Sequence, residues 1–229
     1  MASIAMLWFH NPLTAIQRLS MRSFLHHGHS VTLYTYGDFK AVDGVILADA
    51  NEFIKEEEIF TAYDSYAAFS DIFRYRMLAG TDHIWADADT VCLRPDWNFG
   101  EYLLSYQEPN KVSNNVIGYP QDCPLAKGLV EQAVFQENKI YDHLGPVLVT
   151  RLVKELGLSN KVLPKYIFNP IYWRDFRDTY DASKLDRVLA KCQDSHAVAL
   201  SNYMLKYHNF NRENFPAGSA VAYWDKLFK

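Results

Sequence analysis

The chain has 229 residues, 49% hydrophobic and 15% aromatic, enough to bury one substantial core. A formal net charge of −4 excludes the basic stripe that a nucleic-acid partner requires. Cys92, Cys123 and Cys192 form no CxxC or Cys/His zinc spacing and read as reduced thiols of a cytosolic protein.

The elements follow in chain order. "SIAMLWF" over 3–9 is a short uninterrupted apolar run, expected to be a buried strand. Ile16, Leu19, Met21 and Phe24 then fall at helical spacing, and Gly28 is the expected stop. "VTLYTYG" over 31–37 is β-branched and aromatic and ends on Gly37. The opening is therefore β-α-β, which predicts a parallel pair. "GVILADA" over 44–50 predicts a further short or edge strand, and the acidic 51–60 a solvated surface. Residues 63–80 predict a helix capped by Asp64 or Ser65 and closed by Gly80. "HIWA" over 83–86 is a short strand that delivers Asp87, Ala88 and Asp89 at its carboxyl end.

Beyond Pro95 the alternation is less regular. Residues 101–107 and 114–120 predict strands. Residues 124–139 and 145–158 predict helices, each with a proline in its first turn. Residues 196–205 read as extended or mixed, and 220–229 as a terminal helix. No repeat, low-complexity tract or linker interrupts the chain, so one mixed α/β domain over 1–229 is expected. No leader of the signal-peptide type and no run of ~20 apolar residues is present. The expected location is the cytoplasm, with room for peripheral attachment to the inner face of a membrane.

Two constellations carry chemistry. Asp71 and Arg74 lie three apart on the predicted helix and so share a face. Alone they are an ordinary ion pair. Asp87 and Asp89 are i and i+2, and two carboxylates converging there suit a hard divalent cation such as Mg2+ or Mn2+. Alone an Asp-X-Asp also fits a turn. Their order is more telling than either. A helix with D-x-x-R runs directly into a strand ending in D-x-D, at the sheet end where open α/β folds bind ligands. A metal-bound diphosphate needs donors around it, and a sugar needs carboxylates for its hydroxyls.

"AAFSDIFRYRMLAGTDHIWADADTVCLRP" resembles the core of the family 32 glycosyltransferases, a group with α-1,4-galactosyltransferases and bacterial polysaccharide transferases. A similar core occurs in clostridial glucosylating toxins. "LYTYGD", "NNVIGYP", "GPVLVT" and "HAVALSN" resemble further family segments and occur in the family's order.

The resemblance implies a GT-A fold, a Rossmann-like nucleotide-binding sheet with helices on both faces. It implies a retaining transfer of a hexose or N-acetylhexosamine from a nucleotide diphosphate sugar, UDP-linked by preference, to a glycan or glycolipid acceptor. By matched position Asp89 would bind the metal, and Asp87 the metal shell or the donor ribose. Asp71 and Arg74 would hold the donor sugar, with Asn114 or Asn115 facing sugar or acceptor. Trp8 and Phe9, ending the first strand, would seat the nucleotide beside Ala88. Trp85 reads as core, and Trp173 is open. The family pattern A-V-H-x-W-N here reads Ala197-Val198-Ala199-Leu200-Ser201-Asn202, so alanine stands where relatives place a metal-binding histidine. Asn202, His196 or His208 would then complete the metal shell, or the donor itself would. Two rival readings use the same residues. One is a haloacid dehalogenase-like phosphatase with Asp87 as nucleophile and Asp89 as acid/base. The other is a non-catalytic nucleotide-sugar binding protein.

Overall fold

The computed structural model of the protein describes residues 1–134 and 144–229. β1 (Ser3–Leu7), α1 (Ala15–His26) and β2 (Ser30–Thr35) form the expected β-α-β unit, paired in parallel from Ser3–Ser30 to Leu7–Tyr34. Thr14 starts α1 and donates from its backbone N–H and its hydroxyl to Gln17 Oε1, at 3.1 and 2.5 Å. Gly28 turns the chain out of the helix at φ +78°, a left-handed position suited to glycine. β3 (Ile46–Asp49) joins β2 in parallel as the edge strand. The chain returns through α2 (Ala67–Gly80), and β4 (Ile84–Ala86) pairs in parallel with the other side of β1.

The resulting order, β3-β2-β1-β4, switches direction between β1 and β4. A crevice at the carboxyl ends of such strands is where open α/β sheets bind ligands. Leu7 and Ala86 end β1 and β4 there, so the residues that follow them face one another by topology.

After β4 come β5 (Thr90–Cys92), β6 (Leu104–Glu108), β7 (Lys111–Val112) and β8 (Val116–Ile117). β8 closes the main sheet antiparallel to β4. α3 (Pro124–Gln132) and α4 (Gly145–Glu155) follow, and then β9 (Val162–Leu163), which pairs in parallel with β6. α5 (Leu185–Cys192) leads to β10 (Ala197–Ala199), antiparallel to β5. α6 (Asn202–Tyr207) and α7 (Ala220–Leu227) end the chain. No helix among the described residues is long and apolar enough to cross a membrane.

Both faces of β1 are buried. Ala5 and Leu7 join a core with Phe69, Phe73 and Trp85, while Ile4 and Met6 join one with Phe24, Val31 and Leu33. This is the period-2 alternation of a central strand covered on both sides. Burying a side chain such as Phe73 contributes about 1.5–3 kcal/mol.

Several expectations needed correction. The helix predicted over 63–80 begins at Ala67, with Tyr66 and not Asp64 or Ser65 at its cap. Tyr63 and Asp64 take φ of 51° and 56° in a tight turn closed by the Ala62–Ser65 bridge, and Ser65 Oγ accepts from Ala67 N–H at 3.2 Å. The strand predicted from His83 begins at Ile84, because His83 turns aside to Ser3 Oγ at 2.7 Å. Residues 196–205 split into β10 and α6 around Ser201, at φ 54°. The helix predicted over 124–139 ends at Gln132, and its last residues lie outside the described ones.

Candidate active site

Asp87 and Asp89 do not end a straight strand. Thr90 N–H donates to Asp87 O at 2.9 Å, which closes a turn over 87–90 between β4 and β5. Asp87 N–H is held by Asn115 O at 2.7 Å. A cleft of about 550 Å3 opens here, in the range of small-molecule sites. One wall is Trp8 and Phe9 after β1. Its floor is Arg74, Trp85 and Asp87 to Asp89, and its other wall includes Asn202, Tyr203, Lys206 and Arg212.

Beneath the floor lies a closed polar network. Arg74 is 4% exposed, and its Nη2 lies 3.1 Å from Asp71 Oδ1 and 3.2 Å from Asp87 Oδ1. Its Nη1 donates to Asn114 O, and Nη2 also to Ser70 Oγ at 3.2 Å. The guanidinium lies 4.8 Å from the Trp85 ring centroid, a cation–π contact. Trp85 Nε1–H donates to Asp87 Oδ1 at 2.8 Å. Asn114 Nδ2–H donates to Asp71 Oδ1 at 2.8 Å and to the Tyr75 hydroxyl at 3.2 Å. A planar fork of five donors is the group that can serve this many acceptors at once.

Burial pushes Asp71 up to about 6, against the pull of Arg74, with Asp87 adding to the rise. Burial also raises Asp87. Asp89 is pushed up to about 6 by burial first and by the neighbouring Asp87 second. Asp89 is clasped by backbone: Leu200 N–H donates to its carbonyl at 2.9 Å, and Asn202 N–H to its Oδ2 at 2.6 Å.

These residues fit a hard divalent cation. Asp87 gives Oδ1 to Trp85 and Arg74, and Asp89 gives Oδ2 to Asn202, so each leaves one oxygen uncommitted to another residue. Among the described residues no three His, Cys, Asp or Glu side chains converge as a metal cluster, so the remaining shell would come from ligand and water. His208 stacks on Phe176 at 5.5 Å and does not line the cleft. His196 faces Asp96, 3.5 Å away, at the far end of β10 from Ala199. Asn202 lines the cleft, with its Oδ1 accepting from Arg212 at 3.3 Å.

Trp8, Phe9, Arg74, Asp87, Ala88 and Asp89 thus line one cleft. Asp71 and Asn114 stand behind Arg74, and Asn115 meets the site through its backbone carbonyl. Trp85 is core, at 1% exposure, yet it also grips Asp87. Trp173 lies apart, donating to Glu108 Oε1 at 3.2 Å. Sequence reasoning missed Gln17, Lys206 and Arg212 in the lining.

A comparison with curated protein sequences gives no match. Among solved structures, the glycosyltransferase PaToxG has a similar fold, with a TM-score of 0.54 at 12% identity over 98% of this chain and 86% of that one. Fold and cleft define a GT-A type glycosyltransferase fold. Residues 124–223 match the family described as "Alpha 1,4-glycosyltransferase conserved region", a stretch that begins after Asp89 and takes in Gly145, Lys206 and Arg212. The chain is thus similar to glycosyltransferases in its fold and to the alpha 1,4-glycosyltransferase region over this stretch.

Proposed function

We propose that residues 1–229 act as one domain that transfers a hexosyl or N-acetylhexosaminyl group from a nucleotide diphosphate sugar, UDP-linked by preference, to a glycan or glycolipid acceptor. The transfer retains configuration; its α-linkage is in keeping with the description of the family that residues 124–223 match. The observation that carries this reading is the switch-point cleft, where Asp87 and Asp89 stand over a buried cation, Arg74.

Trp8 and Phe9 seat the base at the end of β1. Asp87 and Asp89 would hold Mn2+ or Mg2+, which when bound neutralises charge on the diphosphate. Arg74 fixes Asp71 and Asp87 in place, so these dipoles and charges are set before the donor arrives. The bond from the sugar C1 to the diphosphate oxygen breaks, and its electron pair stays with the diphosphate. The acceptor hydroxyl oxygen bonds C1, and its proton passes to the departing phosphate. The working location of this reading is the cytoplasm or the inner face of a membrane.

Two properties weigh against Asp87 as a phosphatase nucleophile. Its Oδ1 is bound by both Trp85 and Arg74, and the fold is that of a glycosyltransferase. The test is a thermal-shift and hydrolysis screen over UDP- and GDP-sugars with and without Mn2+. The expected result is Mn2+-dependent stabilisation and slow donor hydrolysis, both absent in Asp89→Ala. Cleavage of p-nitrophenyl phosphate with no response to any nucleotide sugar would overturn the reading.

A further inference from the structure

Trp173 has no part in the cleft, yet it is the most exposed tryptophan outside it. Trp85, Trp97 and Trp224 are buried, whereas Trp173 keeps 39% exposure. Its ring is nonetheless held in place. Trp173 opens the short 3-10 segment Trp173–Tyr180, and its indole N–H donates to Oε1 of Glu108, the last residue of β6, at 3.2 Å. Tyr172 leans on it at a centroid distance of 5.6 Å, with 57° between the ring planes. The Arg174 guanidinium lies 4.8 Å from the Trp173 ring centroid and 5.9 Å from that of Tyr172. Consecutive residues of one segment and a carboxylate from a distant strand thus build a single surface patch.

The patch offers groups that no other residue uses. Arg174 is exposed and forms no ion pair or hydrogen bond among the described residues. Glu108 gives Oε1 to the indole and leaves Oε2 uncommitted to another residue. An aromatic plane bordered by a carboxylate acceptor and a guanidinium donor matches a pyranose, whose C–H face is apolar and whose hydroxyls both donate and accept. A protein partner fits less well, because interface centres are depleted of glutamate. The patch is also tied to the cleft through β6. Ser105 O accepts from Ser113 N–H at 2.8 Å, Ser113 Oγ bonds Asn115 Oδ1, and Asn115 O holds Asp87 N–H at 2.7 Å. Asn169, just ahead of Trp173 in the chain, donates to Ser105 Oγ and Tyr106 O, both at 3.4 Å. From Ser105 to Glu108 the strand spans about 10 Å. One end of β6 therefore backs the floor of the cleft, and the other carries the patch.

We propose that Trp173, Arg174 and Glu108 form a glycan subsite beside the cleft, which holds a pyranose unit of the acceptor chain other than the unit that is glycosylated. Its use in transfer rests on the reading given under the proposed function; the binding itself needs neither donor nor metal. The indole carries the C–H face of the sugar, Arg174 donates to its hydroxyls, and Glu108 Oε2 accepts from them. No bond is made or broken there. An oligosaccharide long enough to reach from the cleft to the patch is thereby favoured over a single sugar.

The test is a microarray of defined oligosaccharides of increasing length, probed with the full chain in EDTA and without nucleotide sugar. The wild type is expected to bind a subset of the longer glycans. Trp173→Ala is expected to weaken that binding about tenfold or more, as for a tryptophan that anchors an interface. Trp173→Phe should keep part of it, and Glu108→Gln and Arg174→Met should each lose less than Trp173→Ala. Asp89→Ala should bind these glycans as the wild type does. Melting temperature and Mn2+-dependent UDP affinity of Trp173→Ala should equal those of the wild type, which separates the subsite from both the fold and the donor. A wild type that binds UDP in Mn2+ but no glycan overturns this inference and leaves the donor reading standing. So does equal glycan binding by Trp173→Ala, and so does a wild-type dimer that Trp173→Ala makes monomeric, which would assign the patch to self-association. Glycan binding that needs Trp173, in a chain that binds no nucleotide sugar, overturns the donor reading and supports the subsite alone.

Discussion

Gly145 stands against Asp71: a Cβ on Gly145 would sit 2.8 Å from Asp71 Oδ2. The residue also takes φ +58°, and its carbonyl lies 3.4 Å from the Tyr75 hydroxyl. The start of α4 is therefore shaped by the carboxylate that Arg74 holds. Gly145→Ala is expected to cost about 1–3 kcal/mol from backbone strain alone. Displacement of Asp71 from Arg74 adds to that. Gly28→Ala supplies the control, since Gly28 also has positive φ but nothing lies within 4 Å of its Cβ position. Urea unfolding and donor titration of both variants separate the effects. Gly28→Ala should lose stability only, and Gly145→Ala should lose stability and donor affinity together.

Arg74 is nearly inaccessible and serves two carboxylates, a backbone carbonyl and an aromatic face. Removing one partner of a buried ion pair leaves the others uncompensated, at a typical cost of about 3–5 kcal/mol. Arg74→Met should fall in that range by chemical unfolding. Arg74→Lys keeps charge but cannot reach Asp71, Asp87 and Asn114 O together, so it should recover only part of the stability. A Lys variant equal to wild type would mean that charge alone matters here.

The acidic cluster sets a pH dependence of unusual sign. Asp71 and Asp89 are each pushed up to about 6, and Asp87 is also raised. Between the unfolded value of about 4 and the folded value, the native state holds protons that the unfolded state has lost. Their contribution to stability is therefore fully present below about pH 4 and is lost as pH rises through about 6. A divalent cation would displace these protons, so its stabilising effect should grow over the same window. Melting temperatures from about pH 4.5 to 7.5, with and without Mn2+, test both statements. Asp89→Asn should flatten the metal-free slope, and equal slopes in variant and wild type would show that the cluster does not titrate there.

Much of this site was legible because it is local. The β-α-β opening follows from apolar runs and one helical period, and the Asp71–Arg74 pair from their spacing on one helix face. What was hidden depends on distant chain. Lys206 and Arg212 reach the cleft only because β10 pairs antiparallel with β5, in the register Ala199–Thr90. The same register lets backbone amides at Leu200 and Asn202 clasp Asp89, a contact that no side-chain pattern announces. The late start of α2 was invisible because two consecutive non-glycine residues, Tyr63 and Asp64, occupy the left-handed region, which composition does not announce.

Trp85 combines two roles that a sequence reading assigns to different residues. Its ring packs in the core near Phe73, at a centroid distance of 6.3 Å, while its indole N–H holds Asp87 Oδ1 at 2.8 Å. A buried indole N–H needs an acceptor, and here the acceptor is a candidate metal ligand. Trp85→Phe keeps an aromatic ring but removes that donor and weakens the face under Arg74. A hydrogen bond to a charged group is worth about 1.5–3 kcal/mol, so a loss of that order in stability is expected. The more decisive measurement is a double-mutant cycle with Asp87→Asn, read on Mn2+-dependent UDP affinity. A coupling of about 1 kcal/mol or more is expected if the indole orients the carboxylate. Strict additivity would assign Trp85 to the core alone and leave Arg74 as the only group that sets the direction of Asp87.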